Sequence, residues 1–317
     1  MQLIRTDLNI DFLGKRKIAL AFSAVLLIIA IISLIPSVRG LNFGIDFTGG
    51  TLVQMHFKET TKVADIRTSL KTVGYEKSMI QTFGNDNEIL VRVQNRENEK
   101  SSDISSSILE AVQTTFGKDN VEMRRVEFVG PQVGEELTQS GIYAVLWSMI
   151  AILLYVTFRF QFRYALGANA ALFHDVTLVM GVFAITGKEF TLPIIAAVLT
   201  VIGYSLNDTI VVFDRIRENL DANKRRKTQL TELDVVNSSI NQTLSRTLMT
   251  SLTTMLVVVA LFLLGGEILK DFAFALIVGI LVGTYSSIFV ASPVMLSLEG
   301  RFQSNSEEIR KAVESQP

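Results

Sequence analysis

The chain has 317 residues, 49% hydrophobic and 19% charged, with a formal net charge of -1, no cysteine and two histidines. These values exclude disulfides, thiol nucleophiles, Cys-ligated zinc and iron–sulfur clusters, and leave His56 and His174 too few for a His-rich metal site; near-neutral charge also speaks against a nucleic-acid partner. An apolar share near one half is ordinary for a globular protein, so a mean hydropathy of +0.37 must come from clustering.

The clusters are six windows of about the 20 residues needed to cross a bilayer core as a helix. The first, at 18–36, follows Lys15, Arg16 and Lys17 and lacks a small-residue cleavage site, so it reads as a retained anchor. The others lie at about 140–158, 165–185, 191–213, 247–264 and 272–296. Basic residues gather before the first span (Arg5, Lys15, Arg16, Lys17) and in the second-to-third turn (Arg159, Arg163). They recur in the fourth-to-fifth loop (Arg215, Arg217 and Lys224 to Lys227) and in the tail from residue 300 (Arg301, Arg310, Lys311). The positive-inside rule places these segments on the cytoplasmic side, N-in and C-in.

Between the first two spans, residues 39–139 are polar and too long for a hairpin. Strand periods at 51–57, 78–83, 89–94 and 121–129 alternate with helix periods at 62–73 and over SDISSSILEAVQTTF, with GNDNE as the turn before the third strand. The pattern predicts an inserted exoplasmic α+β domain of βαββαβ, ferredoxin-like order between about residues 42 and 130. It shows no nucleophile and base pair, and His56 falls in a strand with a structural or solvated role.

Glycines stand where this domain meets the first two spans: Gly44, Gly49 and Gly50 in GIDFTGGT, and Gly130 before Pro131 in VGPQVGEEL. They set turns or serve as hinges of a moving domain, while Pro131 ends the last strand. Asp46 suits a cap or a backbone nest.

Charged groups inside spans cost about 2.5 to 3.5 kcal/mol each on insertion scales and mark function by default. Asp175, next to His174, lies near the middle of the third span, where it packs helices or relays protons. Asp208 falls in the inner half of the fourth span, and Arg246 opens the fifth from the same side, so the two are expected at similar depth and able to pair. That pair is either a static tie fixing helix register or a proton-linked switch, since burial and a neighbouring cation push a carboxylate's protonation in opposite directions. Gly279, Gly283, Ser286, Ser287 and Ala291 form a small-residue face on the sixth span.

GIDFTGGT, the VGP turn, FHDV in the third span, GYSLNDTIVVFDRIREN and SRTLMTS together resemble the SecD/SecF family of the bacterial Sec protein-export machinery, on its SecF side. The resemblance covers nearly the whole chain. It implies half of a resistance-nodulation-division type transporter in the bacterial cytoplasmic (inner) membrane. Paired with SecD, such a subunit uses the proton-motive force, with no other cofactor, to assist export of polypeptides by SecYEG and SecA; YajC and YidC are further partners. The family's intramembrane carboxylate falls on Asp208, its arginine on Arg246 and its HD dipeptide on His174 and Asp175. The alternative is a half-unit of a proton-coupled exporter of small molecules or lipids. A passive scaffold is disfavoured by the buried carboxylates. No nucleotide loop, triad or metal cluster is present, which predicts a non-enzyme.

The topology is testable in this cysteine-free chain. Single cysteines replacing Ser101 and Thr228 should react with an impermeant thiol reagent from outside and inside respectively, and labelling from one side would overturn the orientation.

Overall fold

A computed structural model of the chain describes residues 9–76, 78–94, 100–226 and 230–298, without the side chains of Glu267 and Ile268. Arg5, Lys227, Thr228 and the tail from residue 300 lie outside the described residues. The elements begin with α1 (Arg16–Leu34), β1 (Asn42–Phe43), α2 (Ile45–Thr48), β2 (Gly50–Phe57), α3 (Val63–Lys71), β3 (Met79–Phe83), β4 (Asn85–Val93), α4 (Ser101–Phe116) and β5 (Val121–Val129). They continue with α5 (Pro131–Arg159), α6 (Phe162–Thr186), β6 (Glu189–Phe190), α7 (Leu192–Arg225), α8 (Glu232–Leu264), α9 (Gly266–Ser286) and a π-turn at Ser287–Ala291. The chain divides into two compact units.

The helical unit takes the chain up to Leu41, Ala144–Lys188 and the part from Ile194 onward. Among the described residues six helices are long and apolar enough to cross a membrane, the last over Leu269–Leu298, which makes the protein a polytopic α-helical membrane protein. Three helices outrun their apolar windows. Pro131 opens α5, where its missing N–H is no loss, and α7 and α8 extend to Arg225 and back to Glu232. The last two stay helical because Phe213, Ile216 and Leu220 pack with Val235, Val236 and Ile240 in one buried cluster. Thr231 caps α8 by accepting the Asp234 N–H at 3.2 Å. Asn237 and Asn241, one turn apart on α8, hold the backbone of Ile10, Phe12 and Leu13, and Leu13 is buried in the same cluster.

The small-residue face packs within this chain. A Cβ on Gly279 would lie 2.0 Å from Val201 Cγ2, and one on Gly283 would lie 3.0 Å from Ser205 Cβ. At Gly279 α9 approaches α7 so closely that only glycine fits, and at Gly283 a larger residue would require Ser205 to give way by a few tenths of an ångström.

The second unit, Asn42–Tyr143 with Glu189–Pro193, contains an antiparallel sheet of order β3-β4-β2-β5. With α3 and α4 this is the expected βαββαβ arrangement. Val53, Met55 and Phe57 alternate inward on β2 and meet Ile66 and Leu70 of α3 and Ile104, Ile108 and Val112 of α4. The turn expected over GNDNE contracts to Gly84, because Asn85, Asp86, Asn87 and Glu88 belong to β4, with Phe83 opposite Asn85. Their polar side chains suit the partly exposed end of that strand. His56 is opposite Glu88 on β4, with Nδ1 3.0 Å from its carboxylate.

Candidate functional site

Two carboxylates are sequestered inside the helical unit. Asp175 on α6 is 0% exposed and Asp208 on α7 is 7% exposed. Asp175 Oδ2 accepts from Ser205 Oγ of α7 at 2.5 Å and from Ser286 Oγ of α9 at 2.8 Å. Its Oδ1 lies 2.9 Å from His174 Nδ1. Asp208 Oδ1 accepts from Thr247 Oγ1 of α8 at 2.6 Å, and Oδ2 from Ser287 Oγ at 2.5 Å. The two centres are therefore joined through adjacent serines, Ser286 at the end of α9 and Ser287 at the start of the π-turn.

His174 is 2% exposed, and its Nε2 has no hydrogen-bond partner among the described residues. Its ring stacks on Tyr285, centroids 6.2 Å apart. The Tyr285 hydroxyl donates to Ala19 O at 2.9 Å and accepts from Ser23 Oγ at 3.1 Å, reaching α1.

Arg246 directly precedes Thr247 on α8, but the direct ion pair with Asp208 is not formed. Arg246 is exposed and acts on Asp208 through its charge alone. Successive helical residues are about 100° apart around the axis, so the face that brings Thr247 to Asp208 turns Arg246 away.

The glycine motifs are organised within the second unit. Gly49 and Gly50 have φ of +67° and +126°, and a Cβ on Gly49 would lie 3.0 Å from Pro131 Cα. They permit a left-handed turn pressed against the start of α5. The Gly44 N–H donates to Phe190 O at 2.8 Å. Asp46 accepts the Leu192 N–H at 2.8 Å, capping the first residue of α7. Gly130 directly precedes α5, and Pro131 is its first residue. Beside this turn Glu189 pairs with Arg92 and accepts from Gln81 Nε2 at 3.2 Å, while Arg92 also donates to Phe43 O at 2.9 Å.

Thr247, Tyr285 and Glu189 escape sequence reading, and Ser205, Ser286 and Ser287, which stand on helix faces the sequence singles out, are not legible there as donors to the carboxylates. Hydroxyls in spans usually bond their own helix backbone, and Glu189 stands in a short mixed-charge loop whose partner is far away in the chain. The only visible signal was that two serines stand side by side on a face of small residues. Among the described residues no group of three or more His, Cys, Asp or Glu side chains is placed to hold a metal.

With this geometry in view, the comparisons with known proteins are specific. The family described as "Protein export membrane protein SecD/SecF, C-terminal" matches residues 107–301, and the "SecD/SecF GG Motif" matches residues 35–61. A protein from Magnetococcus marinus named protein translocase subunit SecF is 50% identical over 94% of this chain and 95% of its own length. One of the same name from Vibrio alginolyticus is 48% identical over 94% of this chain and 92% of its own length. The crystal structure of SecDF from Thermus thermophilus, described as a translocon-associated membrane protein, superposes with a TM-score of 0.83 at 38% identity. It covers 94% of this chain, which spans only 40% of that longer one.

Glu189, outside the spans, generates a pH prediction. Burial pushes its carboxyl above the ordinary range, against the lowering pull of the Arg92 guanidinium and the Gln81 amide. The folded state thus holds a proton where the unfolded chain has released it. Stability from this group falls as pH rises from about 4.5 through the raised folded value, then levels off. Arg92→Met removes the main opposing influence and leaves a buried, unpaired carboxylate. The loss should be about 3 to 5 kcal/mol near pH 8 and smaller near pH 4.5, where more of Glu189 is protonated. Thermal unfolding in detergent at the two pH values checks this, and equal losses would contradict it.

Proposed function

The chain belongs to the SecD/SecF family of protein-export membrane proteins, and from that premise we propose that it is the SecF-type accessory subunit of a Sec translocase that draws on the proton-motive force to assist polypeptide export. Its relatives are named protein translocase subunit SecF, which supports an accessory, non-enzymatic role in export. Their names favour this reading over a small-molecule exporter. A SecD chain is the complementary half, as the longer SecDF chain suggests; SecYEG, SecA, YajC and YidC are the wider partners this reading entails. The membrane is then the bacterial inner membrane, with N- and C-termini inside and the βαββαβ unit outside. Its glycine turns at Gly44, Gly49, Gly50 and Gly130–Pro131 delimit that unit.

The observation supporting proton use is how Asp175 and Asp208 are held. A buried structural carboxylate is ordinarily matched by a cation in contact, and removing such a partner costs about 3 to 5 kcal/mol. Here the contacts of Asp208 are two hydroxyls, and those of Asp175 are two hydroxyls and an imidazole. A hydroxyl donates to a carboxylate and accepts from a carboxylic acid equally well, whereas a guanidinium only donates. The surroundings therefore accept either protonation state. Arg246 supplies charge without contact, and His174 can take or return a proton at Asp175.

Asp208→Asn fixes the neutral form. In export assays into proton-gradient-bearing vesicles with matched protein levels, it should lose the gradient-dependent part of export, tenfold or more, as roughly 1.4 kcal/mol of lost coupling per decade implies. Association with SecD should be unchanged. Full gradient-dependent export by this variant would sink the coupling role.

A further inference from the structure

Ser286 has two acceptors within reach and Ser287 has three. Ser286 Oγ lies 2.8 Å from Asp175 Oδ2 and 3.2 Å from Gly283 O. Ser287 Oγ lies 2.5 Å from Asp208 Oδ2, 3.2 Å from Gly283 O and 3.2 Å from Thr284 O. Gly283 O also takes the backbone N–H of Ser287, so with two lone pairs it has room for one further hydrogen. The π-turn begins at Ser287, and the Ser292 hydroxyl donates to Ser287 O at 3.0 Å. Single π-turns inside α-helices are frequent at functional sites.

We propose that Ser286 and Ser287 are positioning residues that couple the protonation of Asp175 to that of Asp208 through competition for Gly283 O. This deepens the proton-linked reading above and rests on it. When a proton from the aqueous gradient binds Asp208, the new carboxylic O–H donates to Ser287 Oγ. The Ser287 hydrogen then rotates to a backbone carbonyl, and no bond within the serine breaks. If that carbonyl is Gly283 O, Ser286 cannot also turn to it and stays committed to Asp175 in its ionised form. Protonation of one carboxylate thus disfavours protonation of the other, and the effect is reciprocal. The coupling is partial, because Ser287 has Thr284 O as a second outlet.

Other titratable and charged groups bear on the pair from each helix around it. His174 on α6 contacts Asp175 and stacks on Tyr285 of α9, and Arg246 on α8 acts on Asp208. Tyr204 on α7, one turn before Asp208, donates to Ser251 of α8 at 3.2 Å. α1 contributes the neutral Ser23. Each is retained in the variants below, so none accounts for a difference among them.

The test titrates the side-chain carboxyl carbon of Asp208 by NMR in the full chain in lipid, with and without Asp175→Asn. The substitution should move the Asp208 midpoint by roughly half a pH unit or more. In a Ser286→Ala background that movement should fall by at least half, leaving the through-space part. Ser286→Cys, close in volume but a weak donor, should do the same should the alanine variant not fold, while Ser286→Thr, which keeps the hydroxyl, should preserve the movement. An undiminished movement in the alanine or cysteine background, or none in the native chain, overturns the link. The readout needs no export, so loss of gradient dependence and loss of this link are separable results.

Discussion

Two carboxylates in a medium that penalises charge are the constraint around which the helical unit is arranged. Leaving either unsatisfied costs several kcal/mol, so four helices direct polar groups at them from otherwise apolar faces: His174 from α6, Ser205 from α7, Thr247 from α8, and Ser286 from α9 with Ser287 just after it. Donors that reach at 2.5 to 2.8 Å demand helices packed closer than Leu or Val would allow. Gly279 against Val201 and Gly283 against Ser205 provide that approach between α9 and α7. The π-turn follows directly, where two successive serines serve two different carboxylates.

This arrangement differs from an ion pair in what it leaves possible. A guanidinium in contact with Asp208 would hold it ionised and oppose proton uptake. Hydroxyls reverse their hydrogen-bond sense at little cost, and Ser286 and Ser287 each have a backbone carbonyl in reserve. The displaced Arg246 fits the same logic, since a cation one residue off the contact face biases the site without locking it. Peripheral helices differ in composition accordingly. The apolar window of α6 is 67% buried and those of α5 and α8 only 11%, so hydroxyl and carboxylate chemistry collects on the central helix faces while the outer faces stay apolar.

Much of this was legible in the sequence, for reasons that individual elements show. The βαββαβ order could be read because Val53, Met55 and Phe57 alternate on a strand while Ile104, Ile108 and Val112 recur at helical spacing, both periods being local. The turn after β3 could not, because Asn85, Asp86 and Asn87 look like loop residues and enter β4 in the fold, where Asn85 pairs with Phe83 across a shift in register. Asp175 and Asp208 stood out because charge inside an apolar window is conspicuous. Their donors did not, since a serine in a span shows its direction only once the neighbouring helices are placed. The same limit explains Arg246, whose place at the start of the fifth span could be read while its rotation depended on the packing of α8. Glu189 and Arg92 meet only through the tertiary fold.

The account stands on both carboxylates exchanging protons within the chain, and counting those protons tests it most directly. A lightly buffered detergent solution of the full chain, taken from about pH 8 to about pH 5, should absorb up to about two protons more than the Asp175→Asn, Asp208→Asn double variant, with each single variant in between. Equal uptake by the native chain and the double variant would mean that neither carboxylate changes state in this range, and would contradict the proton-coupled reading at its root.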